Sequence, residues 1–312
     1  MMKQILSCDW GTSSFRLRLI NVTDVTLIAE TTEGKGIAVV YNEWLNSGLS
    51  ERINFYKNIL LSQIEKLAKG SLDGIPIMIS GMASSSIGIT ELPYTKIPFK
   101  MNDTGLHLYK IPADENCRHE ILIVSGLRTD NDVMRGEETM LLGCGINNDE
   151  QLFIFPGTHS KHVKVKDNAI TDFKTFMTGE LFDLLSNKSM LAASLEKSDD
   201  LAETDMEQFK KGVNESVSAN LLNNIFHIRT NHLLDKLSKK ENYFYLSGLL
   251  IGEELKDIQK EKYKYVTVVS SGILSTLYSE ALSALGFQNK LRHQNSDKAL
   301  IKGQIFILNR YQ

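Results

Sequence analysis

The chain has 312 residues, 42% hydrophobic and 23% charged, enough for two domains with separate apolar cores and ordinary for a soluble globular protein. A formal net charge of -3 gives no electrostatic case for nucleic acid as a partner, since such binding needs a concentrated basic face, and no apolar run approaches the length that crosses a membrane. Cys8, Cys117 and Cys144 form no Cys-x-x-Cys pair, and Met1-Met2-Lys3-Gln4 runs straight into a strand with no room for a signal peptide; together these point to reduced thiols in a cytoplasmic protein.

Gln4 to Cys8 is short and apolar, as a buried strand is, and Phe15-Arg16-Leu17-Arg18-Leu19 alternates with period two. Between them Asp9-Trp10-Gly11-Thr12-Ser13-Ser14 is a hairpin tip, and Val25 to Thr31 is a third strand. Asn42 to Ala68 carries an apolar helical face. Ile75 to Ser80 is nearly all apolar, which predicts a parallel strand covered on both faces; it ends in the small-residue loop Gly81-Met82-Ala83-Ser84-Ser85-Ser86-Ile87-Gly88. Such loops at strand carboxyl ends are where open α/β sheets bind ligands. Residues 89–118 hold three of the five prolines and read as irregular or edge strand. Glu120 to Gly126 is another apolar strand, and Met134 to Gly143 a helix whose first turn carries Glu137 and Glu138, where acids complement the helix dipole.

The opening pattern then returns. Gln151 to Phe155, the turn Pro156-Gly157-Thr158-His159-Ser160-Lys161, the alternating His162 to Lys166 and a third strand, Ala169 to Phe176, repeat the order of the first thirty residues. Helix is predicted from Thr178-Gly179-Glu180 through most of 180–240, broken at Ser198-Asp199-Asp200, with a buried helix at Tyr243 to Gly252. Tyr265 to Val269 is a strand, Ser270-Ser271-Gly272 a turn into a helix from Ile273 to Leu285, and 297–311 a final helix. Two β-β-β units half a chain apart imply a duplicated domain with a cleft between the copies. The expected boundaries are 1–135 and 136–296, with 297–312 a candidate addition to the first domain.

Both tips read Gly-Thr-x-Ser. A glycine followed by hydroxyl residues lets backbone N–H groups face a ligand without an intervening Cβ, which suits phosphate oxygens. One copy alone is an ordinary turn; two matched copies favour a phosphate grip. Neither glycine opens a Gly-Lys-Ser/Thr element, so a Walker loop is excluded. The Ser271-Gly272 turn before a helix is a suitable seat for an adenosine group. His159 and His162 fall on opposite faces of a strand, which argues against a metal site built from histidines.

This arrangement resembles the superfamily of actin, heat-shock chaperones and sugar kinases, in which two such domains clamp ATP between paired phosphate hairpins. More closely, it is similar to the 2-dehydro-3-deoxygalactonokinase family. The likeness rests on Asp9-Trp10-Gly11-Thr12 with Arg16, Gly81-Met82 with Gly88, Val133-Met134-Arg135-Gly136-Glu137-Glu138-Thr139, Phe155-Pro156-Gly157-Thr158-His159 with Lys161, Phe176-Met177-Thr178-Gly179-Glu180-Leu181, and Leu246 to Gly252. The resemblance implies two actin-like ATPase (ribonuclease H-like) domains, each a mixed β-sheet flanked by helices, with the active site in the interdomain cleft. It also implies ATP-dependent phosphorylation of the 6-hydroxyl of 2-dehydro-3-deoxygalactonate.

Under that resemblance Asp9 contacts the Mg2+ of the nucleotide. Gly11, Thr12, Ser13, Gly157, Thr158 and His159 are expected to hold its phosphates, Lys161 to serve either phosphate or substrate, and Ser271 and Gly272 to hold the adenosine. In related sugar kinases the base is the acid of a Gly-Asp stretch about twenty residues before the second phosphate hairpin; Gly136-Glu137 stands there, Glu137 being 20 positions before Gly157. Glu137 is therefore the expected base, with Asp132 and Glu138 in reserve. Arg16, Met82, Ser84, Ser85, Arg135 and Glu138 are the candidates for the substrate, whose carboxylate calls for a cation or a helix N-terminus. Other readings are a kinase for another sugar or 3-deoxy-2-keto acid, or a nucleotide-driven binding protein of the actin or chaperone type. A homodimer is left open.

Overall fold

A computed structural model of the chain describes residues 3–67, 70–101, 105–146, 149–198 and 200–311. Met1 and Met2 of the expected start, Ala68 at the expected helix end, Asp199 of the expected break and the last position of segment 297–312 lie outside them.

The chain divides into two compact units. The first is Met1–Asn147 with Asn168–Thr171 and Asp297–Gln312; the second is Asn148–Asp167 with Asp172–Ser296. The division falls after Asn147 rather than after Arg135, so the helix bearing Glu137 belongs to the first unit.

The first unit contains β1 (Gln4–Trp10), β2 (Phe15–Asn21), β3 (Thr26–Glu33), α1 (Ile37–Ser47), α2 (Arg52–Leu67), β4 (Ile77–Gly81), β5 (Thr95–Lys96), β6 (Phe99–Lys100), β7 (Leu108–Ile111), β8 (Ile121–Val124), β9 (Leu127–Arg128), β10 (Val133–Met134) and α3 (Glu137–Cys144). Its main sheet has the order β3-β2-β1-β4-β8-β7, with β1, β2 and β3 an antiparallel meander and β1, β4 and β8 parallel. Strands β4 and β8 are buried along their length, as their unbroken apolar runs require. One face packs Trp10, Phe15, Leu17 and Ile79 against Tyr56 and Leu60 of α2. The helix predicted for 42–68 is two helices, because Gly48 takes a left-handed φ of 72° and ends α1.

The second unit contains β11 (Gln151–Phe155), β12 (Ser160–Lys166), β13 (Ala169–Phe176), α4 (Thr178–Lys188), α5 (Glu203–Ser218), α6 (Leu221–Leu233), α7 (Lys239–Leu255), β14 (Tyr265–Val269), α8 (Ile273–Ala284) and β15 (Leu291–Gln294). The first residues of β13 cluster with the first unit, where Ala169 and Ile170 pair with Lys100 and Phe99. The sheet order β15-β14-β11-β12-β13, with β11, β14 and β15 parallel, repeats the order β8-β4-β1-β2-β3. The duplication inferred from the two hairpins therefore extends to five strands in each copy. Helices α5 and α7 approach closely at Gly248, where a Cβ would meet the Phe209 carbonyl at 2.0 Å. The final helix, α9 (Ser296–Tyr311), has its residues from Asp297 onward in the first unit. There Gln304 donates to the Cys8 carbonyl (3.0 Å) and to Ser80 Oγ (3.1 Å).

Candidate functional site

In the first unit, β1 ends at Asp9 and Trp10 and the chain turns through Gly11, Thr12 and Ser13. Gly11 N–H donates to Ser14 O (3.0 Å), and the carbonyls of Gly11 and Thr12 accept from Ile37 (2.9 Å) and Ala38 (3.2 Å) in the first turn of α1. Those two bonds fix the turn by its carbonyls. The amides of the exposed Thr12 and Ser13 are left without a partner among the described residues, as a phosphate grip requires. The helix can come this close only because residue 36 is glycine; a Cβ there would meet the Thr12 carbonyl at 2.2 Å.

Asp9 lies directly across the sheet from Arg16 and beside Ser80. Arg16 is committed elsewhere: its Nη1 donates to Asp297 Oδ1 at 2.6 Å. The buried Arg18 bonds the same oxygen at 2.6 Å and Glu30 at 2.6 Å. Asp9 itself accepts no side-chain hydrogen bond among the described residues. Burial raises its pKa, opposed by the charges of Arg18 and Arg16.

The loop after β4 and the acids of α3 meet through two glycines. Gly81 (φ 96°) and Gly136 (φ 106°) both take left-handed backbone, and a Cβ on Gly136 would sit 3.4 Å from the Gly81 Cα. This close approach sets Glu137, the first residue of α3, beside the exit of β4. Glu137 accepts from the Arg135 amide at 3.1 Å. Glu138 turns inward: it is buried and accepts from Gly136 N–H (2.8 and 3.0 Å) and Thr139 Oγ1 (2.9 Å). Burial, then the charge of Glu137, pushes its pKa up to about 7. Asp132 precedes β10, capping its own loop with a bond from the Val133 amide at 2.7 Å.

Arg135 lies over the Tyr94 ring at 3.9 Å and donates to Tyr94 Oη (2.8 Å), Ser84 O (2.5 Å), Ser84 Oγ (2.7 Å) and Leu92 O (3.1 Å). It clamps the loop from Met82 to Leu92. Ser84 is thereby engaged, and Ser85 Oγ donates to Met82 O at 2.7 Å. Of the expected substrate contacts, Arg16, Arg135, Ser84 and Ser85 thus hold other parts of the first unit, Glu138 is buried, and Met82 is partly exposed.

The second unit repeats the hairpin. Thr158 O accepts from Glu180 N–H at 3.0 Å, and a Cβ on Gly179 would meet the Gly157 carbonyl at 2.4 Å. His159, half exposed at the tip, bonds Glu180 at 2.5 Å. Lys161 is buried, its Nζ donating to His159 O at 3.2 Å. Behind the turn stands Glu254 of α7, buried, accepting from Ser160 Oγ (2.7 Å), His162 Nε2 (2.8 Å), Tyr278 Oη (2.7 Å) and Thr178 Oγ1. Burial drives its pKa up, but the bonds from His162, Thr178 and Ser160 outweigh it, and the net shift is downward. Beside the tip opens a mostly apolar cavity of ≈ 430 Å3, lined by Gly157, Thr158, Gly179, Ser247, Leu274 and Tyr278 among others. Ser271 and Gly272 precede the helix that lines it, both exposed, with Ser271 Oγ 3.2 Å from Ser296 Oγ.

Four residues of these arrangements were not read as site residues from the sequence. Gly36 and Gly179 sit at helix starts, where glycine looks like a turn; Glu254 follows an apolar run that hides it; Asp297 looks like a dipole-complementing acid. The signal available was the repeat itself, since a helix follows the third strand in both halves.

A 2-keto-3-deoxy-galactonokinase family model matches residues 9–307. The chain is 33% identical over 218 residues (68% of this chain, 71% of the relative) to the 2-dehydro-3-deoxygalactonokinase of Escherichia coli (strain K12). It is 32% identical over 308 residues (95% and 93%) to "Probable 2-dehydro-3-deoxygalactonokinase DgoK1" of Rhizobium meliloti (strain 1021). The crystal structure of a candidate 2-dehydro-3-deoxygalactonokinase from Sinorhizobium meliloti superposes with a TM-score of 0.82 at 30% identity, covering 98% of this chain and 96% of that one. The fold is the actin-like ATPase and sugar-kinase fold expected from the hairpins. With a family match running from Asp9 through α9, the chain belongs to the 2-keto-3-deoxy-galactonokinase family.

Proposed function

We propose that this chain transfers the γ-phosphoryl group of ATP to the 6-hydroxyl of 2-dehydro-3-deoxygalactonate, giving 2-dehydro-3-deoxy-6-phosphogalactonate and ADP. The observation that carries this reading, beyond family membership, is Glu137 opening a helix beside the exit of β4, held there by the Gly81–Gly136 approach. Phosphoryl transfer is mainly positioning and charge neutralisation. The Thr12 and Ser13 amides in one unit and the Thr158 and His159 amides in the other are assigned to phosphate oxygens. The apolar cavity beside Gly157 is assigned to the adenine ring, with Ser271 and Gly272 at the edge of the nucleoside. Glu137 accepts the hydroxyl proton as the substrate oxygen bonds to phosphorus and the bond to the ADP oxygen breaks.

Asp9 fits a hydrated Mg2+. Its carboxylate is partly buried at a strand end, free of side-chain hydrogen bonds among the described residues, and next to the exposed Gly11 turn. No cluster of three His, Cys, Asp or Glu able to hold a metal exists among the described residues; Mg2+ dehydrates reluctantly and is commonly held by one carboxylate, phosphates and water. When bound, Mg2+ neutralises phosphate charge.

No helix among the described residues is long and apolar enough to cross a membrane. Three free, buried cysteines support a cytoplasmic setting. The test is ADP release measured across 2-keto-3-deoxy acids and neutral hexoses, repeated with Glu137→Gln. The expected result is preference for the galacto keto acid and a fall in kcat of roughly 10²–10⁴ in the variant. Preference for neutral hexoses overturns the substrate; full turnover by Glu137→Gln overturns the base.

A further inference from the structure

Opposite charges directly across an antiparallel pair attract, and Arg16 stands directly across from Asp9, with Arg18 two residues further on the same face. A guanidinium has the reach to form a bidentate pair with a neighbouring carboxylate. Yet no such pair forms. Both guanidinium groups instead converge on one oxygen of Asp297, each at 2.6 Å, and Arg18 adds Glu30 at 2.6 Å on its other side. Asp297 is brought to this face by the first turn of α9, whose Gln304 is anchored to Cys8 and Ser80. The acid that both arginines share therefore comes from the far end of the chain. Among the described residues Arg18 Nη1 stays buried without a partner, and Asp9, directly across from Arg16, accepts no side-chain hydrogen bond.

We infer that Asp297 is a positioning residue for the nucleotide's metal ion: by holding Arg16, and with Glu30 Arg18, it keeps Asp9 unpaired for a hydrated divalent cation. The inference rests on the assignment of Asp9 to Mg2+ made above. Arg18 is 2% exposed and stays held by Glu30, whereas Arg16 is 38% exposed and among the described residues hydrogen-bonds through its side chain only to Asp297, so Arg16 is the arginine that loss of Asp297 releases. Released, its shortest route to a carboxylate is across the strand to Asp9, where it competes with the cation. A residue that merely stabilised α9 would affect nucleotide binding equally with and without metal. Asp297 is expected to act only through the metal.

The experiment is calorimetric binding of ADP to the full chain in Mg2+ and in EDTA, the ratio of the two affinities being the readout, backed by electron paramagnetic resonance of bound Mn2+-ADP. The wild-type chain is expected to bind ADP more tightly with Mg2+, and Asp9→Asn to lose that gain. Asp297→Asn is expected to lower the gain about tenfold, the change that one pKa unit of charge interaction corresponds to. Asp297→Asn combined with Arg16→Gln is expected to restore it, and Arg16→Gln alone, at an exposed position, to keep or increase it. If Asp9→Asn keeps the full Mg2+ gain, the assignment of Asp9 fails, and this inference with it. If Asp9→Asn loses the gain while Asp297→Asn keeps it, only the inference fails. It also fails if removing Arg16 does not rescue Asp297→Asn, or if Arg16→Gln alone weakens the gain.

Discussion

In the first unit the tip Gly11–Thr12 rests on α1 through Gly36; in the second the tip Gly157–Thr158 rests on α4 through Gly179. Five residues past each hairpin glycine stands a basic side chain, Arg16 or His162, paired to an acid supplied by a later helix, Asp297 or Glu254. The scaffold is the same, and the difference lies in what it leaves over. Two residues before the glycine the first copy carries Asp9, and the second carries the buried Phe155. The first copy's acid partner is 35% exposed and occupies two arginines, leaving a carboxylate available. The second copy's acid is buried and takes four donors into itself. Duplication supplied two matched hairpins, and the polar residues behind them leave a carboxylate without a side-chain hydrogen bond at one and a buried, fully bonded acid at the other.

The sharpest test of that contrast is to remove the two acids in turn. Glu254→Ala strands His162, Ser160 and Tyr278 in the interior and is expected to cost about 3–5 kcal/mol, read by urea denaturation. Asp297→Asn leaves Arg16 at the surface and the buried Arg18 still held by Glu30, and is expected to cost less, about 1–2 kcal/mol. Equal losses at both sites break the comparison.

Acidity gives the next largest effect, and its sign differs between two buried glutamates. Glu254 has a lowered pKa, so its contribution to stability is present above the ordinary glutamate value of 4.5 and is lost as pH falls through the folded value. Glu138 is raised from 4.5 to about 7, so the folded state holds its proton more tightly, and stability falls as pH rises from 4.5 to about 7. The fall is on the order of 3 kcal/mol if Glu138 acts alone. Glu138 receives its donors at the start of one short helix and faces the charge of Glu137, whereas Glu254 gathers donors from three other elements. Melting curves of Glu138→Gln across this range are expected to lose the downward slope; an unchanged slope refutes the assignment.

The supporting glycines come third. Gly36→Ala and Gly179→Ala each place a Cβ within 2.4 Å of a hairpin carbonyl, or closer, and are expected to cost about 1–3 kcal/mol. Each should also raise the KM for ATP, because each displaces a turn proposed to hold phosphate. A rise from only one of the two would confine the nucleotide's phosphates to that hairpin.

Much of this was legible in the sequence. All six strands of the two meanders and the parallel strands β4, β8 and β14 were read from the sequence, and the Gly-Thr-x-Ser repeat located both tips. Strand β15 was not legible, because Leu-Arg-His-Gln is polar and mostly exposed and owes its place to pairing with β14. The break between α1 and α2 was missed because the apolar face continues across Gly48. Among the site residues, the sequence separated acids and arginines by type but not by commitment. Whether Arg135 meets a substrate or clamps Ser84 and Tyr94 depends on residues 41 and 51 positions away, which no local pattern reports.

The smallest expected effects concern the serines at the two equivalent strand exits, after β4 and after β14. Ser85 lies in the loop that Arg135 clamps, and its hydroxyl already donates to Met82 O at 2.7 Å. Ser271 is exposed, and a Cβ placed on the neighbouring Gly272 meets nothing within 4 Å. Replacing an internal hydrogen bond costs stability, whereas replacing an exposed hydroxyl costs only what a ligand gains from it. Ser85→Ala is therefore expected to lose about 0.5–1.5 kcal/mol of stability and leave the KM for the sugar acid unchanged. Ser271→Ala is expected to keep its melting temperature and raise the KM for ATP by roughly two- to tenfold, the same interaction energy read as binding. A sugar-acid KM that moves with Ser85 would return that hydroxyl to the substrate, and an ATP KM indifferent to Ser271 would leave the nucleoside to the apolar cavity alone.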